Sequence, residues 1–212
     1  MGKTVHQKKK KQESAPSKNP NHPHKGSTIK VEPIRRKKDI DTIKKLLIDN
    51  PRNYCLFVLG INTNLRASDL IRITAGKVRG LKPLDTFEIK EKKTGKSRRI
   101  NLNKTCIEAI QTLLASRPYT DEEHLFLSHR SGKALKVMAI NNLVKKWCRD
   151  INLKGNYGSH SLRKTWGFHQ RVTFNVGIPE LMVCFNHSTQ KQTLDYLCVQ
   201  PDEIRDVYAN EL

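Results

Sequence analysis

One stretch breaks the rhythm of the rest of the chain. In residues 85–103, DTFEIKEKKTGKSRRINLN, apolar side chains fall on every second position, at Phe87 and Ile89 and again at Ile100 and Leu102. The alternation is interrupted by Lys93-Thr94-Gly95-Lys96. Period two with a glycine-bearing break is the signature of a β-hairpin, here with a basic tip. Elsewhere the apolar spacing is helical. Ile40, Ile43, Leu46 and Leu47 mark one amphipathic helix, 53–61 is an apolar helical run, and 65–73 reads as a further helix with Ser68 and Asp69 as capping candidates near its start. Residues 105–116 put Ile107, Ile110, Leu113 and Leu114 on one face; 137–150 is helical after a Ser131-Gly132 turn, and the chain from Ser159 onward is mostly helical with a break at Gly177-Ile178-Pro179. The expected fold class is mainly α with a small antiparallel β-sheet.

Composition divides the chain. Residues 1–38 carry 12 Lys and Arg, with Glu13 and Glu32 the only acids, and almost no large apolar side chain. Such a segment cannot bury enough surface to offset the entropy of ordering, so it is expected to be a disordered basic arm. The net charge of the whole chain is +20, an imbalance that points to a polyanionic partner, nucleic acid first. Lys8, Lys9, Lys10, Lys11, Arg35, Arg36, Lys37 and Lys38 are the candidates for sequence-independent contacts to phosphates, which gain affinity by releasing counterions. His22-Pro23-His24 is a weak metal signal, and no metal or cofactor is expected. The five cysteines are unpaired by spacing and odd in number, there is no leader-like N-terminus and no apolar run of membrane-spanning length; a cytoplasmic, nucleoid-associated protein with reduced thiols is expected.

Four short stretches carry chemistry. Arg66 sits in TNLRASDLIRI, a cluster of lysines in EKKTGKSRR, His160 and Arg163 in GSHSLRKTW, and His187 and Tyr196 in NHSTQKQTLDYL. His160 and Arg163 are three apart, hence on one helical face. The residues between His187 and Tyr196 are mostly polar and lack the apolar stripe of a buried helix. Two arginines, a lysine, two histidines and a tyrosine suit attack on a phosphodiester. Guanidiniums grip non-bridging oxygens with fixed geometry, each donor contributing about 3–4 kcal/mol by analogy with oxyanion holes. A histidine takes the tyrosine proton, and a hairpin lysine protonates the departing 5′ oxygen. Covalent capture on tyrosine keeps the bond energy for religation.

In this order the motifs resemble the catalytic domain of the tyrosine recombinases, the phage integrase family. Leu65-Arg66-Ala67-Ser68-Asp69-Leu70 is similar to its L-R-x-S-[ED]-L box, His160-Ser161-Leu162-Arg163 to its H-x-L-R box, and Asn186-His187-Ser188 followed by Tyr196 to its G-H-S box and nucleophile. The resemblance covers roughly residues 39–200. It implies that Arg66 and Arg163 clamp the scissile phosphate, His160 handles the tyrosine proton, His187 is a second phosphate ligand, Tyr196 forms a 3′-phosphotyrosyl link, and Asp69 supports the arginine site. Lys93 is the implied general acid by its position before Thr94-Gly95, with Lys92 and Lys96 close enough to compete. It further implies double-stranded DNA as partner, a homotetramer on paired sites, and a tail at 201–212 that docks on its own core or on a neighbour. Asn64 and Asn186 stand where the family has glycine; asparagine is the next residue to tolerate a left-handed turn. Residues 1–38 stand where the family has a helical clamp domain, which resembles the short single-domain members and leaves room for an accessory DNA-binding protein. A catalytically silent DNA-binding regulator, a type IB topoisomerase-like nicking-closing enzyme and an RNA-binding protein are the alternatives; for the last, no aromatic cluster offers a stacking platform.

Overall fold

The structure, a computed structural model, describes residues 31–93, 95–197 and the positions 208, 209 and 211. Helices α1 (Lys37–Leu47) and α2 (Pro51–Asn62) open the fold. Asn50 caps α2, its side chain accepting the Asn53 N–H, and Pro51 supplies a preset φ at the first turn. Two four-residue helices follow, α3 (Ala67–Leu70) and α4 (Ala75–Val78). Strands β1 (Thr86–Lys90) and β2 (Ser97–Asn101) pair antiparallel, Phe87 opposite Ile100 and Ile89 opposite Arg98. Then come α5 (Lys104–Ala115), α6 (Val137–Asp150) and α7 (Ser159–Phe168), which runs on into a π-helical turn at His169–Thr173. Helices α8 (Ile178–Phe185) and α9 (Gln190–Leu197) complete the described chain. The mainly helical architecture with one two-stranded antiparallel sheet is the class the periodicities predict.

Helix α2 is the hub because it is apolar all round: Cys55 to Leu59 are fully buried, and it packs against both α5 and α7. Gly60 permits the crossing with α7, since a Cβ there would meet Leu162 Cδ1 at 2.6 Å. A second, smaller apolar cluster forms around Leu181, Phe185 and Leu197, with Trp166 and Tyr196 packed against it. No helix among the described residues is long and apolar enough to cross a membrane.

Two expectations change. Residues 31–38 do not belong with an arm: Ile34 is fully buried, its N–H donates to Thr165 Oγ1 at 2.8 Å, and its carbonyl pairs with His169 Nε2 at 3.0 Å. A single isoleucine among basic residues gives no periodic signal, so composition hid this anchor. Lys8, Lys9, Lys10 and Lys11 lie outside the described residues, as do Thr94 and most of 198–212. The helix expected over 65–73 is the four-residue α3, because Asn64 turns left-handed and the Ile73 carbonyl accepts the Leu125 N–H at 2.9 Å instead of continuing the helix. Ser68 and Asp69 are not its caps; Arg66 holds the N-cap position. The polar run before Tyr196 forms a helix, α9, in line with the helical reading from Ser159 onward, and among its described side chains only Thr193 and Leu197 are buried.

Candidate active site

Arg66 is placed by the turn that precedes it. Asn64 takes φ 54°, donates its side-chain Nδ2 to the Cys184 carbonyl at 2.8 Å, and leaves its own carbonyl pointing at two guanidiniums, Arg163 Nη1 at 2.8 Å and Arg98 Nη1 at 3.2 Å. Arg66 Nη1 donates to Glu91 Oε2 at 2.6 Å. Asp69 is fully buried, and its Oδ1 accepts the Lys92 N–H at 2.8 Å, which ties the base of the hairpin tip to α3.

Helix α7 brings His160 and Arg163 to the same place. Arg163 is only 2% exposed, held by the carbonyls of Asn64 and Phe185, each at 2.8 Å. Burial pulls its pKa down to about 10, which leaves it charged at neutral pH. His160 reaches solvent at the pocket rim, yet burial first, and then Arg163, Lys164, Arg66 and Lys93, hold its pKa below the usual value.

Asn186 ends α8 in the left-handed conformation, φ 56°, and turns His187 back over the site. The His187 ring stacks on Phe185 at 5.1 Å, and its Nδ1 pairs with Thr193 Oγ1 at 3.0 Å. Burial, then Arg163 and Arg66, push its pKa down to about 4, so the ring is neutral near pH 7. In the tautomer whose Nδ1 accepts from the threonine hydroxyl, Nε2–H is left to donate into the pocket. Tyr196 comes from α9 and is half-buried, edge-on to Phe185 at 5.1 Å and to His187 at 5.6 Å, with Arg163 Cζ 5.9 Å and Lys164 Nζ 5.3 Å from its ring centre.

Arg66, Lys93, His160, Arg163, His187 and Tyr196 all line one pocket of about 400 Å³, together with Lys96, Asn186, Ser188 and Gln192. Lys92 is not among its lining residues, which leaves Lys93 and Lys96 as the hairpin lysines that face it. Arg35, Arg36, Lys37 and Lys38 are exposed and lie outside this pocket; Arg36 makes a two-bond ion pair with Asp39, and Lys37 stands over Phe174.

Three contributors escape the sequence reading: Glu91, Arg98 and Thr193. Glu91 did leave a trace. It continues the inward series Phe87, Ile89, Glu91, and all three are buried. A carboxylate on the buried face of a strand signals a paired charge.

Comparison with known proteins agrees with this geometry. The phage integrase family model matches residues 36–203. The chain is 31% identical over 181 residues to the probable integrase/recombinase YoeC of Bacillus subtilis strain 168, covering 84% of this chain and 95% of that protein. It is 35% identical over 182 residues to the tyrosine recombinase XerC of Caldanaerobacter subterraneus subsp. tengcongensis, covering 79% of this chain and 48% of the relative. Among solved structures, the XerH site-specific recombinase, bound to palindromic difH substrate in a post-cleavage complex, superposes with a TM-score of 0.67 at 16% identity, over 82% of this chain and 51% of that one. The chain thus spans nearly all of YoeC and about half of XerC and XerH. With the family model spanning most of the chain and this fold beneath it, the chain belongs to the phage integrase family, the tyrosine recombinases.

Proposed function

We propose that the protein is a site-specific DNA recombinase or integrase that cuts and rejoins double-stranded DNA through a covalent 3′-phosphotyrosyl link to Tyr196, without a metal ion. The observation that carries the reading is the convergence of six side chains from four separate stretches of sequence on one pocket. Tyr196 attacks the phosphorus and its phenolic proton passes to His160. The bond from phosphorus to the 5′ oxygen breaks, and the departing oxygen takes a proton from Lys93. Arg66, Arg163 and the neutral His187 Nε2–H hold the non-bridging oxygens as charge builds on them. Asp69 supports this site by fixing the hairpin base. The reverse sequence, with a 5′ hydroxyl as nucleophile, rejoins the strand. The basic residues of the N-terminal segment add phosphate contacts without reading sequence. Assembly as a tetramer on paired sites, docking of the 201–212 tail and help from an accessory DNA-binding protein follow from the family reading.

The test is covalent capture. The protein is incubated with nicked duplex DNA from its own genomic neighbourhood, denatured, and run on a gel beside Tyr196→Phe. An adduct that disappears in the variant is expected. DNA binding with no adduct from the wild-type chain would instead support a catalytically silent regulator. An adduct that survives in the variant would move the nucleophile to another tyrosine, Tyr208 first.

A further inference from the structure

We infer that Glu91 is a positioning residue for Arg66, and that the array Arg66–Glu91–Arg98, centred on a buried carboxylate, fixes the phosphate grip to the base of the hairpin that carries Lys93. The inference rests on the reading of Tyr196 and Arg66 given above.

The Glu91 side chain is fully buried, and its two oxygens are divided between two guanidiniums. Oε2 accepts from Arg66 Nη1 at 2.6 Å, and Oε1 accepts from Arg98 Nη1 at 3.2 Å. Arg98 is anchored in turn by the Cys184 carbonyl at 2.6 Å and by the Asn64 carbonyl it shares with Arg163. The main chain of Glu91 has a second task. Its N–H donates to the Lys96 carbonyl at 2.9 Å, and its carbonyl accepts the Gly95 N–H at 2.9 Å, closing the tip that bears Lys93 and Lys96. One residue therefore sets the tip with its backbone and Arg66 with its carboxylate.

Two physical arguments favour a functional rather than a purely structural role. A buried ion pair is a poor way to stabilise a fold, since an apolar residue of the same size avoids the desolvation cost. Its gain here is direction: a guanidinium with one edge fixed presents its remaining donors to the pocket. The second argument is repulsion. Arg66 lowers the proton affinity of both Arg98 and Arg163, Arg98 lowers that of Arg163 as well, and Glu91 acts in the opposite sense on Arg98, Arg163 and His187. A carboxylate among these cations keeps three guanidiniums together in the absence of a phosphate.

The test is single-turnover cleavage of a nicked duplex by wild type, Glu91→Gln and Glu91→Asp. The rate constant reports the site and the amplitude reports the folded fraction. Glu91→Gln keeps the shape and removes the charge; its rate constant is expected to fall about 10- to 100-fold, the scale of a misplaced reacting group, with amplitude and DNA affinity held. Glu91→Asp keeps the charge but shortens the reach, and is expected to fall in the same way; it carries the test if the glutamine variant does not fold. A second substrate, with sulfur replacing the bridging 5′ oxygen, has a leaving group that needs no acid. The Glu91→Gln deficit should persist on it. Rescue by the sulfur substrate would assign Glu91 to Lys93 and overturn the inference. So would wild-type rate constants in both variants, or a loss of amplitude alone. If the wild-type chain forms no adduct, the nucleophile reading itself has failed, and that result is distinct from all of these.

Discussion

At the scale of single residues, the site is a set of cations and neutral donors gathered around one pocket. On the proposed mechanism, leaving-group chemistry tests which hairpin lysine supplies the proton. Lys93→Ala is expected to slow cleavage by about 10²- to 10⁴-fold, the usual worth of a general acid, and the loss should vanish on a substrate with a 5′-bridging sulfur. Lys96→Ala should show a smaller loss with no such rescue; the opposite pattern would give the role to Lys96. His187 makes a separate prediction about pH. Its folded pKa is about 4 against the ordinary 6.5. Between those values the unfolded chain binds the proton and the folded chain does not, so stability rises with pH across that window. The contribution is complete above pH 6.5 and is lost as pH falls towards 4; His160 and His169, also lowered mainly by burial, act in the same direction. Urea midpoints measured from pH 7 to pH 4 should therefore fall, and should fall less steeply in His187→Asn.

At the scale of elements, two left-handed asparagines and one glycine fix how the pieces meet. Asn64 and Asn186 have φ of 54° and 56° and end the segments that deliver Arg66 and His187. Asn186→Gly keeps this conformation and is expected to fold as well as wild type, while Asn186→Ala should lose about 1–2 kcal/mol from backbone strain, as read by urea unfolding. Asn64→Gly loses the side-chain bond to the Cys184 carbonyl as well, a cost of about 1 kcal/mol. Gly167 lets α7 lie against the cluster that seats Tyr196: a Cβ there would meet Phe185 Cζ at 2.5 Å and Leu197 Cδ2 at 2.7 Å. Gly167→Ala is expected to cost about 1–3 kcal/mol through overpacking and to displace α9, lowering adduct formation more than DNA binding in a side-by-side gel assay.

At the scale of the whole molecule, charge is the dominant property. Removing residues 1–30 takes away eight lysines and one acid. If these lysines touch phosphates, each lost contact flattens the slope of log affinity against log salt by about 0.9. The truncated chain is expected to bind DNA more weakly at low salt, with a shallower slope, and to keep its cleavage rate constant on saturating DNA. An unchanged slope would assign the arm another role.

Much of this protein was legible in its sequence. Helix positions and the hairpin follow from local periodicity, because burial of one face imposes a period of 3.6 or 2 whatever the wider fold. The residues of the pocket were legible as well, because they sit in short motifs with a family pattern, and the fold brings those motifs to one place. What the sequence could not supply is pairing at long range. Ile34 reads as one apolar residue in a basic stretch until Thr165 and His169 are brought beside it. Glu91 falls in register with the inward series Phe87 and Ile89, but its partners stay hidden until Arg66 and Arg98 close on its two oxygens. Thr193 reads as a helix-surface hydroxyl until His187 turns back onto it. Sequence by itself determined which residues are available to react and which local structures carry them. Only the tertiary structure decided which buried charges face one another, because the free energy of a buried charge depends on partners that lie far away along the chain.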